Sequence, residues 1–360
     1  MTGGCHQERL ERLRRLLAVQ DLEALLVTKP ENRRYLSGFT GSAGVLLVAP
    51  GAAVLLTDGR YEAQARREAP AWKLATFKNS YYEALAEVCA ELRLREVGFE
   101  KDHLTYQQFE KLREHLSQIT LRPVAGFVEE LRLIKDAAEI GCIQEAAVIT
   151  GAAFWYLLGV LEYGQSEREV AGAMEFFMRR HGGDLPAFET IVAAGERGAF
   201  PHGVASGQQI RRGQMVVLDL GARFQGYAAD LTRTVCLGRA DARQREVYEA
   251  VREAQARALA HVRPGVQAGE VDAAARGFLE ALGYGEFFPH SLGHGVGLSV
   301  HEDPRLAPRQ ERVLEPGMVI TVEPGVYLPG WGGVRIEDTV LVTQNGCEIL
   351  TPVTKDLLII

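Results

Sequence analysis

The sequence predicts an α+β protein of two domains: an α/β domain, then a larger domain with helices on one side of an antiparallel sheet. Three observations carry this. The chain has 360 residues, and at about 150 residues per domain that length corresponds to two. Over residues 1–125, strand-length apolar runs alternate with helical patterns. From Met215 onward, strand-like runs interleave with long helical patterns, and one strand–turn–strand unit occurs twice.

The elements follow in chain order. Residues 7–18 have the apolar spacing of a short amphipathic helix. Residues 24–28, 44–49 and 53–57 are β-branched or leucine-rich runs bounded by Gly, Pro or Asp, which reads as three strands. Helical patterns occupy 60–69, 80–93 and 105–117. Residues 126–137 form the junction, so the expected domains are 1–128 and 129–360. A long helix runs from Asp136 to about Leu161, with Asp136 and Glu139 in capping spacing. Ser166 and Glu169 repeat that spacing at the start of a helix over 166–181. Further helices fit 240–261 and 271–282.

Composition excludes several classes. The chain is 47% hydrophobic with a formal net charge of -7, which suits a packed globular chain and argues against a nucleic-acid partner, since that needs a basic face. No run reaches about 18 uninterrupted apolar residues, so no membrane association is expected. Residues 1–15 are charged and lack the apolar core of a signal peptide. Five scattered cysteines without a Cys-x-x-Cys argue against a disulfide framework and make a reducing cytoplasm the expected compartment.

The repeated unit carries the chemistry. Gly213-Gln-Met-Val-Val-Leu-Asp219-Leu-Gly221 matches Gly317-Met-Val-Ile-Thr-Val-Glu323-Pro-Gly325. Each is followed by a turn and a second strand with an acid, Asp230 in one and Glu337 in the other. An ionised carboxylate at the end of a buried strand costs several kcal/mol unless it is paired or bound to a cation. Four such acids converging without nearby lysines call for divalent cations, and two ions fit four carboxylates better than one. Between the repeats, His290, His294 and His301 fall close together, with His294 framed by Gly293, Gly295 and Gly297. Glycine there permits close backbone approach around a ligand. A mixed carboxylate and imidazole set favours Mn, Co, Fe or Zn over Ca. Singly, each acid is an ordinary strand-end residue and each histidine an ordinary hydrogen-bonded one. The joint pattern points to a metal. No GxSxG, Walker or HExxH motif is present.

At these residues the chain resembles the creatinase/prolidase/methionine aminopeptidase superfamily, the pita-bread metallopeptidases. The motifs are Val-Val-Leu-Asp219-Leu-Gly-Ala, Ala-Asp230-Leu-Thr-Arg-Thr, His290-Ser-Leu-Gly-His294-Gly-Val-Gly-Leu, Val300-His301-Glu-Asp-Pro, Thr-Val-Glu323-Pro-Gly, Gly-Val-Arg335-Ile-Glu337-Asp and Pro201-His202-Gly. In the first domain, Asn32 to Gly44 and Thr57-Asp-Gly-Arg-Tyr61 resemble the Xaa-Pro peptidase N-domain.

The resemblance implies a creatinase/prolidase-like N-terminal domain and a pita-bread catalytic domain with pseudo-two-fold symmetry. It implies two divalent ions, Mn first and Co or Zn as alternatives, held by Asp219, Asp230, His294, Glu323 and Glu337, with Asp230 and Glu337 bridging. Glu323 would also transfer protons, and His202 and His301 would stabilise the tetrahedral intermediate. His290 would line a proline pocket. Arg335 would hold a ligand carboxylate or the substrate's terminus, and Tyr327 would be a donor behind the ligands. The implied activity is hydrolysis before proline, as an Xaa-Pro dipeptidase (prolidase) or, alternatively, an aminopeptidase P on longer peptides. A homodimer is implied as well, with Arg33, Arg34 or Arg60 as candidates to reach a substrate carboxylate. A non-catalytic peptide-binding module on the same fold remains a third reading.

Overall fold

The computed structural model describes residues 3–360. Two compact units divide between Arg132 and Leu133, inside the segment read as the junction.

The first unit runs α1 (Gly3–Val19), β1 (Leu25–Val27), α2 (Pro30–Ser37), β2 (Val45–Ala49), β3 (Ala52–Asp58), α3 (Glu62–Glu68), β4 (Lys73–Phe77), α4 (Tyr81–Glu91), β5 (Glu96–Glu100), α5 (Tyr106–His115), β6 (Thr120–Val124) and α6 (Phe127–Arg132). Its six strands form one sheet in the order β4-β3-β2-β1-β5-β6. The β1–β2 and β2–β3 pairs are antiparallel and the rest are parallel. Leu26, Leu47, Leu56 and Val97 from the sheet pack with Leu85 and Leu112 from α4 and α5. Helix α2 lies in a segment singled out above for its motif and not for a helix. Its signals are local: Pro30 stands in the first turn and Gly38 caps the C-terminus at φ 76°, the asymmetry proline and glycine favour.

The second unit runs α7 (Ala137–Leu158), α8 (Glu167–Arg180), β7 (Ile191–Ala194), β8 (Met215–Leu220), β9 (Arg223–Phe224), β10 (Tyr227–Ala228), β11 (Leu231–Cys236), α9 (Ala242–His261), α10 (Ala268–Ala281), β12 (Gly293–Gly295), β13 (Glu302–Leu306), β14 (Val319–Val322), β15 (Gly325–Leu328), β16 (Gly332–Arg335), β17 (Asp338–Val342) and β18 (Cys347–Ile349). The capping spacings hold: Asp136 with Glu139, and Ser166 with Glu169, form reciprocal capping boxes at α7 and α8.

The expected single antiparallel sheet is instead two, β11-β8-β7 and β13-β12-β14-β17-β18, with the small ribbons β9–β10 and β15–β16. The physical reason is the repeat. Each half buries its own sheet against its own helix pair. Leu218 and Leu220 of β8 pack with Phe154 of α7 and Met174 of α8. Ile320 and Val322 of β14 pack with Val251 of α9 and Leu279 of α10. Alternation along β8 sends Val216, Leu218 and Leu220 toward the helices, so Val217 and Asp219 face the other way.

Helix α7 is long and apolar enough to cross a membrane by length and composition, although Glu139 and Glu145 interrupt its apolar run. Half of its apolar window is buried inside the protein, where Ala153, Phe154 and Leu157 join the core. That is how a core helix of a globular unit passes the same test.

Candidate metal centre

The two hairpins bring their acids to one place. On β8 and β11, Asp219 lies opposite Thr232, which puts Asp230 two residues back along the same strand face. On β14 and β17, Val322 lies opposite Asp338, so Glu323 and Glu337 stand one step beyond the pairing. His294 is the middle residue of β12, whose Gly295 pairs with Ile320 on one side and Glu302 on the other. A Cβ on Gly293 would run into the Thr321 carbonyl, and one on Gly295 into the Asp303 carbonyl. Glycine on both sides therefore lets β12 sit close enough to carry the imidazole to the acids.

The imidazole Nε2 lies 3.2 Å from a Glu323 oxygen and 3.8 Å from an Asp230 oxygen. Donor atoms of Asp230, His294 and Glu337 all lie within 4.8 Å of one another. Asp219 accepts from Arg335 Nη2 at 2.6 Å. Burial first, then the charges of its neighbouring acids, raises the Asp230 carboxyl well above the usual carboxylate range, and Glu337 follows for the same reasons. Asp219 is raised by burial despite Arg335. Burial also works against ionised Glu323, but the His294 hydrogen bond and charge outweigh it and hold that carboxyl at about 2.

The donor set fits divalent cations. Asp219 Oδ1, Asp230 Oδ1 and Glu337 Oε1 are buried and have no hydrogen-bond partner. A buried carboxylate oxygen without a donor is costly, and three in one cluster beside an imidazole are the oxygens a cation would satisfy.

Two threonines support the acids reciprocally. Thr232 Oγ1 donates to Glu337 Oε2 at 2.6 Å, and Thr339 Oγ1 donates to the Asp230 carbonyl at 2.8 Å. Each follows one acid by two residues and reaches the other half, Thr232 holding the Glu337 carboxylate and Thr339 the main chain of Asp230. The signal was present in Asp230-Leu-Thr232 and Glu337-Asp-Thr339, but only the pairing of the halves gives it meaning. Thr321 was missed in the same way; its hydroxyl donates to Glu323 at 3.1 Å and accepts from the His294 amide at 3.1 Å.

Around this cluster, Arg335 is buried and donates to Asp219, to the Tyr327 hydroxyl at 2.7 Å, to the Pro201 carbonyl at 3.0 Å and to Thr232 at 3.1 Å. Of the two tasks expected of it, holding a carboxylate is the one its contacts perform. Tyr327 in turn meets His290 Nε2 at 2.9 Å, and His290 Nδ1 lies 2.8 Å from the Ser291 carbonyl. With Arg335 donating to the tyrosine oxygen, the network assigns the phenol proton to His290 Nε2 and the imidazole proton to Nδ1. Burial pushes His290 toward this neutral form. The His301 ring lies 4.2 Å from that of His294, and burial and the His294 charge lower its basicity. His202 is exposed on the loop after β7, close enough that a charge on it disfavours protonation of His290 and His301.

In the first unit, Arg33 is buried and donates to the Gly41 and Gly44 carbonyls. Arg60 is exposed and paired with Asp58 at 2.8 Å.

A cluster of buried carboxylates and one imidazole, built by the two repeated units under two helix pairs, has the donor set of a divalent-metal centre. The matches to known proteins agree. Residues 141–344 match the model of metallopeptidase family M24, and residues 9–134 match the creatinase/prolidase N-terminal domain. The chain belongs to metallopeptidase family M24. The Xaa-Pro dipeptidase of Pyrococcus furiosus is 40% identical over 98% of this chain and 100% of its own. A solved Xaa-Pro dipeptidase from Bacillus anthracis is 43% identical at TM-score 0.96, covering 99% of this chain and 100% of its own. An X-Pro aminopeptidase structure from Thermotoga maritima is 36% identical at TM-score 0.91, covering 98% and 99%.

Proposed function

We propose that this protein is an Xaa-Pro dipeptidase that uses two divalent metal ions, with manganese the first expectation and cobalt or zinc the alternatives. The observation that carries the metal part is the set of three partnerless buried carboxylate oxygens beside His294. Full-length similarity to proteins named Xaa-Pro dipeptidase carries the substrate. Asp219 and Asp230 would hold one ion, His294 and Glu323 the other, and Asp230 and Glu337 would bridge them. When bound, the ions would supply Lewis acidity that makes water nucleophilic near neutral pH and polarises the scissile carbonyl.

The chain's own groups do the rest. Glu323 takes a proton from the attacking water and returns it to the prolyl nitrogen, which leaves as a secondary amine. His202 and His301 offer N–H donors to the carbonyl oxygen as charge develops on it. Neutral His290, fixed by Tyr327, presents a ring wall to the proline. Arg335 orients Asp219 and opposes the burial that disfavours its charge. A bond before proline lacks an N–H, so a site that acts on the carbonyl and seats the ring suits it. We propose further that residues 1–128 and 129–360 are the N-terminal and catalytic domains, that the protein is a homodimer, and that it works in the cytoplasm.

A second reading, aminopeptidase P, is favoured by one observation, the similarity to the Thermotoga X-Pro aminopeptidase. The test is to strip the protein with chelator, restore Mn²⁺, Co²⁺ or Zn²⁺, and offer an Xaa-Pro dipeptide beside the same peptide extended at its C-terminus. Cleavage of the dipeptide alone is the expected result. Efficient cleavage of the longer peptide makes the protein an aminopeptidase P. Bound metal with no cleavage of either supports the binding-module reading.

A further inference from the structure

Glu167 is a carboxylate with no solvent exposure, at the first position of α8, outside the metal cluster. Its two oxygens accept from both ends of the segment that carries His202. On the near side the donors are the Ala194 amide at 2.9 Å and Arg197 Nε at 2.9 Å. On the far side they are the Ser206 amide at 2.9 Å and the Ser206 hydroxyl at 2.7 Å. Arg197 then reaches across the segment and donates to the Val204 carbonyl at 2.6 Å. Between these points, the Pro201 carbonyl accepts from Arg335. His202 itself is exposed, so the backbone on either side of it fixes where its ring can reach.

We propose that Glu167, with Arg197 and Ser206, is a clamp that positions His202 for the reaction. This rests on the catalytic role given to His202 above. Burying the Glu167 carboxylate against the half-buried Arg197 is a poor device for stability alone, because desolvating the charge offsets most of the attraction. One carboxylate joining two stretches a dozen residues apart does something an apolar pair does not: it closes a loop and sets its geometry. Arg197 alone bridges two of the held points. Glu167 is a positioning residue; it touches no reacting atom.

The test is a double-mutant cycle on the metal-loaded protein. Glu167→Gln keeps the shape but turns an amide donor toward groups that are already donors. A misplacement of about 1 Å costs on the order of a hundredfold in rate, so Glu167→Gln should lower kcat by about that factor with metal content unchanged. In a His202→Ala background the same substitution should cost less than about twofold, since the group it positions is gone. Ser206→Ala removes only the hydroxyl's bonds to Glu167 and from the Gln208 amide, and guards against a Glu167→Gln protein that does not fold. Its smaller loss should vanish in the His202→Ala background too. Equal losses in both backgrounds would overturn the clamp while leaving the His202 role intact. A His202→Ala protein with undiminished kcat would overturn both.

Discussion

At the residue scale, the acids of the cluster depend on hydroxyls as much as on one another. Thr232 donates to Glu337 and accepts from Arg335 Nε, so it orients one carboxylate and also the guanidinium that holds Asp219. Groups that orient metal-binding carboxylates are worth roughly 10–100-fold in affinity. Thr232→Val keeps the volume and removes both bonds, and competition with a chelator should show a loss of that order. Thr232→Ser should recover most of it. Asp219, Asp230, Glu323, Glu337 and His294 were all legible in the sequence, because an acid at the end of an apolar strand is anomalous and a histidine between glycines is unusual. The threonines were not, since a threonine in a strand is ordinary and becomes a partner only across the hairpins.

At the element scale, a charge pair ties the start of β13 to the segment before α7. Lys135 Nζ lies 2.9 Å from Glu302 Oε1, with the two side chains 1% and 9% exposed. Glu302 begins β13 and directly follows His301. Lys135→Met would remove the cation 2.9 Å from that carboxylate, a loss of about 3–5 kcal/mol. Urea unfolding should register it, and Lys135→Met/Glu302→Gln should regain most of the loss. Helix starts were readable from Asp136 and Ser166 because capping is a local arrangement of backbone N–H groups and one side chain. Helix α2 was not, because its eight residues give too few turns for an apolar period, and its proline and glycine mark loops as often as helix ends.

At the scale of the whole molecule, each unit carries its own dependence on solution conditions. In the first, Glu129 accepts from Asn32 at 2.8 Å and from Lys29 at 3.0 Å. Burial pushes its carboxyl up, but those bonds outweigh burial and hold it below its ordinary 4.5. The unfolded chain therefore takes up this proton first in acid. The stabilisation is complete above the ordinary value and drains away as pH falls through the lowered one. Thermal unfolding of Glu129→Gln should be less sensitive to pH in that acid range than unfolding of the unsubstituted protein, and equal sensitivity would exclude the linkage. In the second unit, ions that bind only the folded cluster raise stability by about 2.7 kcal/mol at a hundredfold excess over Kd. Adding chelator should lower Tm by a matching amount, and restoring Mn²⁺ should reverse it.

The sequence by itself determined the α+β plan, the doubled acid-bearing unit and the acids and histidine that the structure brings together. Those features lie in periodicity, composition and spacing along the chain, which local physics reads directly. Only the tertiary structure decided that the repeats build two sheets rather than one, and that Arg335 faces Asp219. It also decided that Thr232 and Thr339 cross over to support the opposite hairpin, and that Glu167 holds the His202 segment at both ends. Each of these joins residues tens of positions apart or more. The energy of such a contact comes from a partner whose position is fixed by packing, and no pattern within a single segment encodes it.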